Sequence, residues 1–104
     1  MLKGKVQKMK PPSYKAYPRH IVIYKNIWDV KFSRGLIDGC DLGQCDEALE
    51  LLEISLKQKN RKELLKTFIH EVLHGIEKEY EIILGHDVIN KLEDPLANLL
   101  LENF

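Results

Sequence analysis

His70-Glu71-Val72-Leu73-His74 is the short pattern in this chain whose residue types and spacing carry chemistry. Two histidines four residues apart on a helix project from the same side, one turn apart. Both imidazoles can then reach one tetrahedral zinc ion. The glutamate between them suits a general base. Zinc lowers the pKa of bound water toward about 7, and a carboxylate within hydrogen-bond reach takes the proton as that water attacks a carbonyl. The bland alternative is a helix with two surface histidines and a solvated glutamate. Against it, the motif sits in the middle of the strongest helical pattern in the chain, its histidines lie at the flank of the apolar stripe, and Val72 and Leu73 bury the turn between them. Glu71 is therefore the candidate catalytic residue, and His70 and His74 are candidate metal ligands.

A catalytic zinc site takes a third protein ligand and leaves one position open. The long metzincin extension is absent, because Glu77 and Tyr80 stand three and six positions after His74. The ligand must then come from elsewhere. His86 is the first choice, with Asp87 in its place as the alternative and Glu77 and Glu93 as weaker candidates. Tyr80 is a candidate for stabilising an oxyanion. Cys40 and Cys45, spaced C-x4-C without a second pair, are expected to be free thiols rather than half of a zinc site.

The elements that must position these residues can be read from periodicity. Asn60 followed by Glu63 is a capping-box-like helix start. Beyond it, Leu65, Phe68, Ile69, Val72, Leu73, Ile76 and Tyr80 recur at spacings of three and four, predicting a helix of about twenty residues. Val88, Ile89, Leu92, Leu96, Leu99, Leu100 and Phe104 suggest a last helix, which Asp94-Pro95 either kinks or restarts. Upstream, Ile21 and Ile23, then Trp28, Val30 and Phe32, alternate with polar neighbours as two short antiparallel strands with a turn at Lys25-Asn26. Trp28 and Phe32 are expected in the core. Glycines and aspartates from Ser33 to about Asp46 read as a loop, and the stretch from Asp46 to Leu56 leans to helix by propensity although Leu52, Ile54 and Leu56 alternate as a strand would.

At 104 residues, 44% of them hydrophobic and 31% charged, the chain has the length and composition of one soluble globular domain. Sixteen basic and sixteen acidic residues cancel, which argues against a whole-surface attraction to nucleic acid or membrane. Residues 1–18 hold three of the four prolines, and Lys3, Lys5, Lys8, Lys10 and Lys15 with no acid among them. This stretch reads as a basic, solvated arm, the one route to a nucleic-acid contact, followed by a single domain over 19–104. The apolar runs are too short to cross a bilayer and no signal-peptide pattern is present, so a cytoplasmic protein is expected.

The stretch Leu65-Lys66-Thr67-Phe68-Ile69-His70-Glu71-Val72-Leu73-His74-Gly75-Ile76-Glu77, with Leu42-Gly43, Leu52-Glu53-Ile54-Ser55 and the helix after Gly85, resembles the minimal zincins of bacteriophages and mobile elements. These are related to the repressor-cleaving and SprT-like metallopeptidases, and the resemblance runs from about Ile21 to the end. It implies an α+β zincin-like domain, a short antiparallel sheet of about three strands packed on an active-site helix and a C-terminal helix that brings the third ligand. It also implies that Leu49 to Leu56 is a strand, against the lean of propensity. The implied activity is hydrolysis of a peptide bond in a protein or peptide substrate, with Zn2+ as cofactor. Relatives often carry a glutamate as third ligand, where this chain offers His86-Asp87. Such domains also exist as non-catalytic modules that bind a regulator or a host protein.

Overall fold

The computed structural model describes residues 14–39 and 41–103. They form β1 (His20–Ile23), β2 (Asn26–Ser33), β3 (Gly43–Asp46), β4 (Leu51–Ser55), α1 (Arg61–Tyr80) and α2 (His86–Asn103). This is an α+β arrangement, but the sheet has four strands and is mixed, in the order β1-β2-β4-β3. β1 and β2 form the expected antiparallel hairpin, its turn falling at Tyr24-Lys25 with Tyr24 in the left-handed region (φ 58°). β2 then pairs in parallel with β4, and β3 closes the other edge antiparallel to β4. The expectation of about three antiparallel strands is corrected on both counts. Gly43–Asp46 lies inside the stretch read as loop, and nothing local in it announces that Cys45 will pair with Leu52.

Leu51–Ser55 is strand, as the resemblance implies and as helical propensity does not. Pairing on both sides explains the override: Leu52 stands between Val30 and Cys45, and Ile54 between Phe32 and Gly43. A central strand buried from both neighbours gains more than its leucines and glutamates would gain from a helix.

The register puts Ile21, Trp28, Val30, Phe32, Leu52, Ile54, Cys45 and Gly43 on one face of the sheet. Onto that face α1 lays Phe68, Val72 and Ile76, spaced every four residues, around a centre of Ile23, Trp28, Val30 and Leu52. Trp28 is fully buried and its indole N–H donates to Glu79 Oε2 at 2.7 Å, while Asn26 donates to Glu79 Oε1. The hairpin is thereby pinned to the C-terminal half of α1. Asn60 caps α1 by accepting from the Glu63 N–H at 2.9 Å. α2 packs on α1 through Ile89 and Ala97, both fully buried. It runs as one helix through Pro95, neither breaking nor restarting there.

Tyr14 and Tyr17 fall within the stretch read as arm, yet both pack on Phe32, and the Tyr17 ring also meets Phe68 edge-on at 5.1 Å. The rest of that stretch, 1–13, lies outside the described residues, as do Cys40 and Phe104. Among the described residues, no helix is long and apolar enough to cross a membrane.

Candidate metal centre

α1 carries His70 and His74 on the side turned away from the sheet's hydrophobic centre, and α2 begins with His86. One ligand atom from each of the three lies within 4.8 Å of the others. His86 is thus the third histidine of the cluster, whereas Asp87, one position on, is exposed and outside it. The His74 and His86 rings are 4.9 Å apart between centroids, and His70 and His86 5.8 Å.

Glu77 and Glu93 touch the cluster differently from a ligand. Glu93 Oε2 lies 2.8 Å from His70 Nδ1, and Glu77 Oε1 lies 2.9 Å from His74 Nδ1. An ionised carboxylate only accepts, so each Nδ1 carries the hydrogen and donates. Glu77 is ionised: hydrogen bonds from the Gly85 and Leu84 N–H groups, and from His74, hold its carboxyl below the usual range. In neutral imidazoles both Nε2 atoms are then bare acceptors. They face each other at 3.2 Å. Two lone pairs at that distance repel unless a cation lies between them. Two nitrogens bound to one tetrahedral zinc at about 2.0–2.1 Å would be about 3.3–3.4 Å apart, so the observed spacing and donor set fit that ion. A carboxylate behind the His70 and His74 rings also fits, since such a partner fixes the tautomer and the orientation of a histidine that ligates a metal.

Glu71 lines the same cavity as the three histidines and lies against Gly43 of β3. It is 7% exposed. Gly43 makes this possible: a Cβ there would stand 2.8 Å from Glu71 Oε2 and 2.7 Å from Thr67 Cγ2. Burial pushes the Glu71 carboxyl up to about 7, with Asp41 and Glu93 adding to the rise and His74 opposing it. A carboxyl so placed takes and returns a proton near neutrality.

The cluster opens into a cavity of about 330 Å³ lined by Asp41, Gly43, Cys45, Glu47 and the three histidines with Glu71. A second cavity, of about 240 Å³, shares Gly43, His70 and Glu71 and extends toward Asn90 and Glu93. Of the residues lining the larger cavity, Asp41 and Glu47 were not singled out by sequence reasoning, Gly43 entered only through the resemblance and Cys45 only as a thiol, and it is the pairing of β3 with β4 that brings Gly43 and Cys45 here. Cys45 is a free thiol, as expected, and burial followed by the charge of Glu71 pushes it up to about 12. Tyr80 lies elsewhere: its ring packs edge-on against Tyr24 at 5.1 Å and does not line either cavity.

Compared with family models, curated proteins and solved structures, the chain matches none.

Proposed function

We propose that this chain is a zincin-type zinc metallopeptidase in which His70, His74 and His86 hold the metal and Glu71 is the general base. The observation that carries the reading is the His70–His74 pair, whose Nε2 atoms converge at 3.2 Å while both Nδ1 atoms donate to carboxylates. Zinc, when bound, would supply Lewis-acid polarisation of a peptide carbonyl and acidify the attacking water. Glu71 accepts the proton of the attacking water and returns it to the departing amine nitrogen, a task that suits a buried carboxyl titrating at about 7. β3 shields Glu71 from solvent through Gly43, and the larger cavity leaves room for a peptide backbone beside the histidines.

Metal analysis of the purified chain is expected to give about one zinc, lost in H70A. E71Q is expected to keep the zinc and to lose hydrolysis of a protein substrate. Zinc-free protein whose stability is unmoved by H70A would sink the reading.

One observation favours a second reading, a non-catalytic zincin-fold module that binds a regulator or host protein. Among the described residues that line the two cavities, no arginine, lysine or tyrosine stands ready to stabilise an oxyanion. E71Q separates the two: a peptidase loses its effect with zinc retained, and a binding module does not.

A further inference from the structure

Glu77 sits near the end of α1, and both of its carboxylate oxygens are engaged. Oε1 accepts from His74 Nδ1 at 2.9 Å. Oε2 accepts from the peptide N–H groups of Leu84 and Gly85, at 2.7 and 3.0 Å. The next residue is His86. Glu77 also folds this turn back with its main chain, its carbonyl accepting from the N–H groups of Glu81, which caps α1 in the left-handed region (φ 54°, ψ 46°), and of Ile82.

His70 and His74 each have a carboxylate behind the ring. Among the described residues, the His86 imidazole has no hydrogen-bonding partner, and the residue is exposed. Its position is therefore inherited from the backbone leading into α2. That backbone is the Leu84–Gly85 turn, with Gly85 at φ +86° and its carbonyl accepting the Ile89 N–H that starts the helix.

We propose that Glu77 is a positioning residue that places two ligands at once, His74 through its imidazole and His86 through the Leu84–Gly85 turn, and so sets the spacing between α1 and the first residue of α2. The proposal rests on reading the three histidines as a metal centre. One carboxylate serving both is a geometric economy with a consequence: loosening it releases the third ligand although it never touches that side chain. Glutamine cannot replace it. An amide has one acceptor oxygen, so it can serve either the two peptide N–H groups or the His74 Nδ1–H, and its NH2 group then opposes a donor on the other side.

The test is a double-mutant cycle on zinc affinity, measured by competition with a chromophoric chelator for wild type, E77Q, H86A and E77Q/H86A. In E77Q, affinity is expected to fall by about 100-fold, at the upper end for a residue behind a ligand. H86A is expected to cost far less affinity in the E77Q background than in wild type, because His86 has already been released. Cobalt substituted into E77Q should show the weakened visible absorption of a site that has lost a histidine, a signature that a general loss of stability does not produce. Additive costs, or an unaltered cobalt spectrum, overturn the proposal. Should E77Q fail to fold, amide exchange of the wild type decides: the Leu84 and Gly85 N–H groups are expected to be protected despite lying outside both helices, and fast exchange there overturns the proposal. A wild-type chain that binds no zinc overturns the metal reading itself, a different result from additive mutants of a chain that binds it.

Discussion

Glu93 of α2 accepts a hydrogen bond from Nδ1 of His70 on α1 at 2.8 Å, across 23 positions of sequence. The closing helix thus orients a histidine of the preceding one as well as supplying His86. Removing the acceptor frees the His70 ring to rotate and to change tautomer. E93A is expected to weaken zinc binding by about 10–100-fold while leaving the fold in place, because Glu93 is only half-buried. Chelator competition together with thermal unfolding of the zinc-free protein checks both halves. E93Q, whose amide oxygen still accepts, should lose less.

Gly43 is the point at which β3 presses on the proposed base. In G43A the new methyl would stand 2.8 Å from Glu71 Oε2 and 2.7 Å from Thr67 Cγ2, so either the edge strand or the Glu71 side chain must move. Because catalytic geometry is sensitive to displacements of about 1 Å, hydrolysis is expected to fall by about 100-fold. Zinc content should stay near that of wild type, since the atoms nearest the new methyl belong to Thr67 and Glu71 and not to a histidine. Activity and metal content measured on one preparation settle it, and unchanged hydrolysis would show that Glu71 does not depend on this contact.

The contrast between α1 and β3 shows what was legible in the sequence. Every device that makes α1 is local: Asn60 caps it, Phe68, Val72 and Ile76 repeat every four residues, and His70 and His74 share a side by helical arithmetic. The motif, the helix and its cap could therefore be read residue by residue. β3 has no such signal. Gly43–Asp46 contains no apolar alternation, and it is a strand because it folds back on β4 through the four-residue turn 47–50, Cys45 pairing with Leu52 and the Ser55 N–H reaching the Leu42 carbonyl. The roles of Glu77 and Glu93 were hidden for a related reason. Both were legible as acids near the histidines, but Glu93 reaches His70 only through the crossing of two helices, and Glu77, three positions after His74 on the same helix, is held by the Leu84–Gly85 turn that folds back onto it. Between His86 and Asp87, helix direction decides, because adjacent residues point about 100° apart and only the first turns toward α1.

Gly75, directly after the second histidine, lies in mid-helix, where glycine costs about 1 kcal/mol relative to alanine. Packing explains it: a Cβ there would meet Ile23 Cδ1 at 2.8 Å, with the Trp28 ring just beyond at 3.8 Å. G75A is expected to destabilise the zinc-free protein by about 1–2 kcal/mol, overpacking outweighing the gain in helix propensity. I23V deletes the methyl that clashes. Combined with G75A it is expected to recover about 1 kcal/mol relative to the sum of the single changes, read from urea unfolding of the four proteins. Strict additivity would show that the strain is relieved elsewhere.

The raised carboxyl of Glu71 has a consequence for stability whose sign can be worked out. Its folded pKa of about 7 lies above the ordinary value of 4.5, so between those pH values the folded chain holds a proton that the unfolded chain has lost. The stability associated with the neutral, buried carboxyl is fully present below about pH 4.5 and is lost as pH rises through 7. In E71Q the side chain at this position is neutral throughout. With zinc removed by a chelator, E71Q is expected to gain stability over wild type between pH 5 and pH 8, on the order of 1–3 kcal/mol, other titrating groups being common to both proteins. Urea unfolding at the two pH values measures the difference. Loading with zinc should shrink it, because a cation beside Glu71 favours the ionised form that burial penalises. A difference that does not change with pH in the zinc-free proteins would mean that Glu71 is charged throughout this range in the folded chain, and so is not held as a neutral acid by its burial under β3.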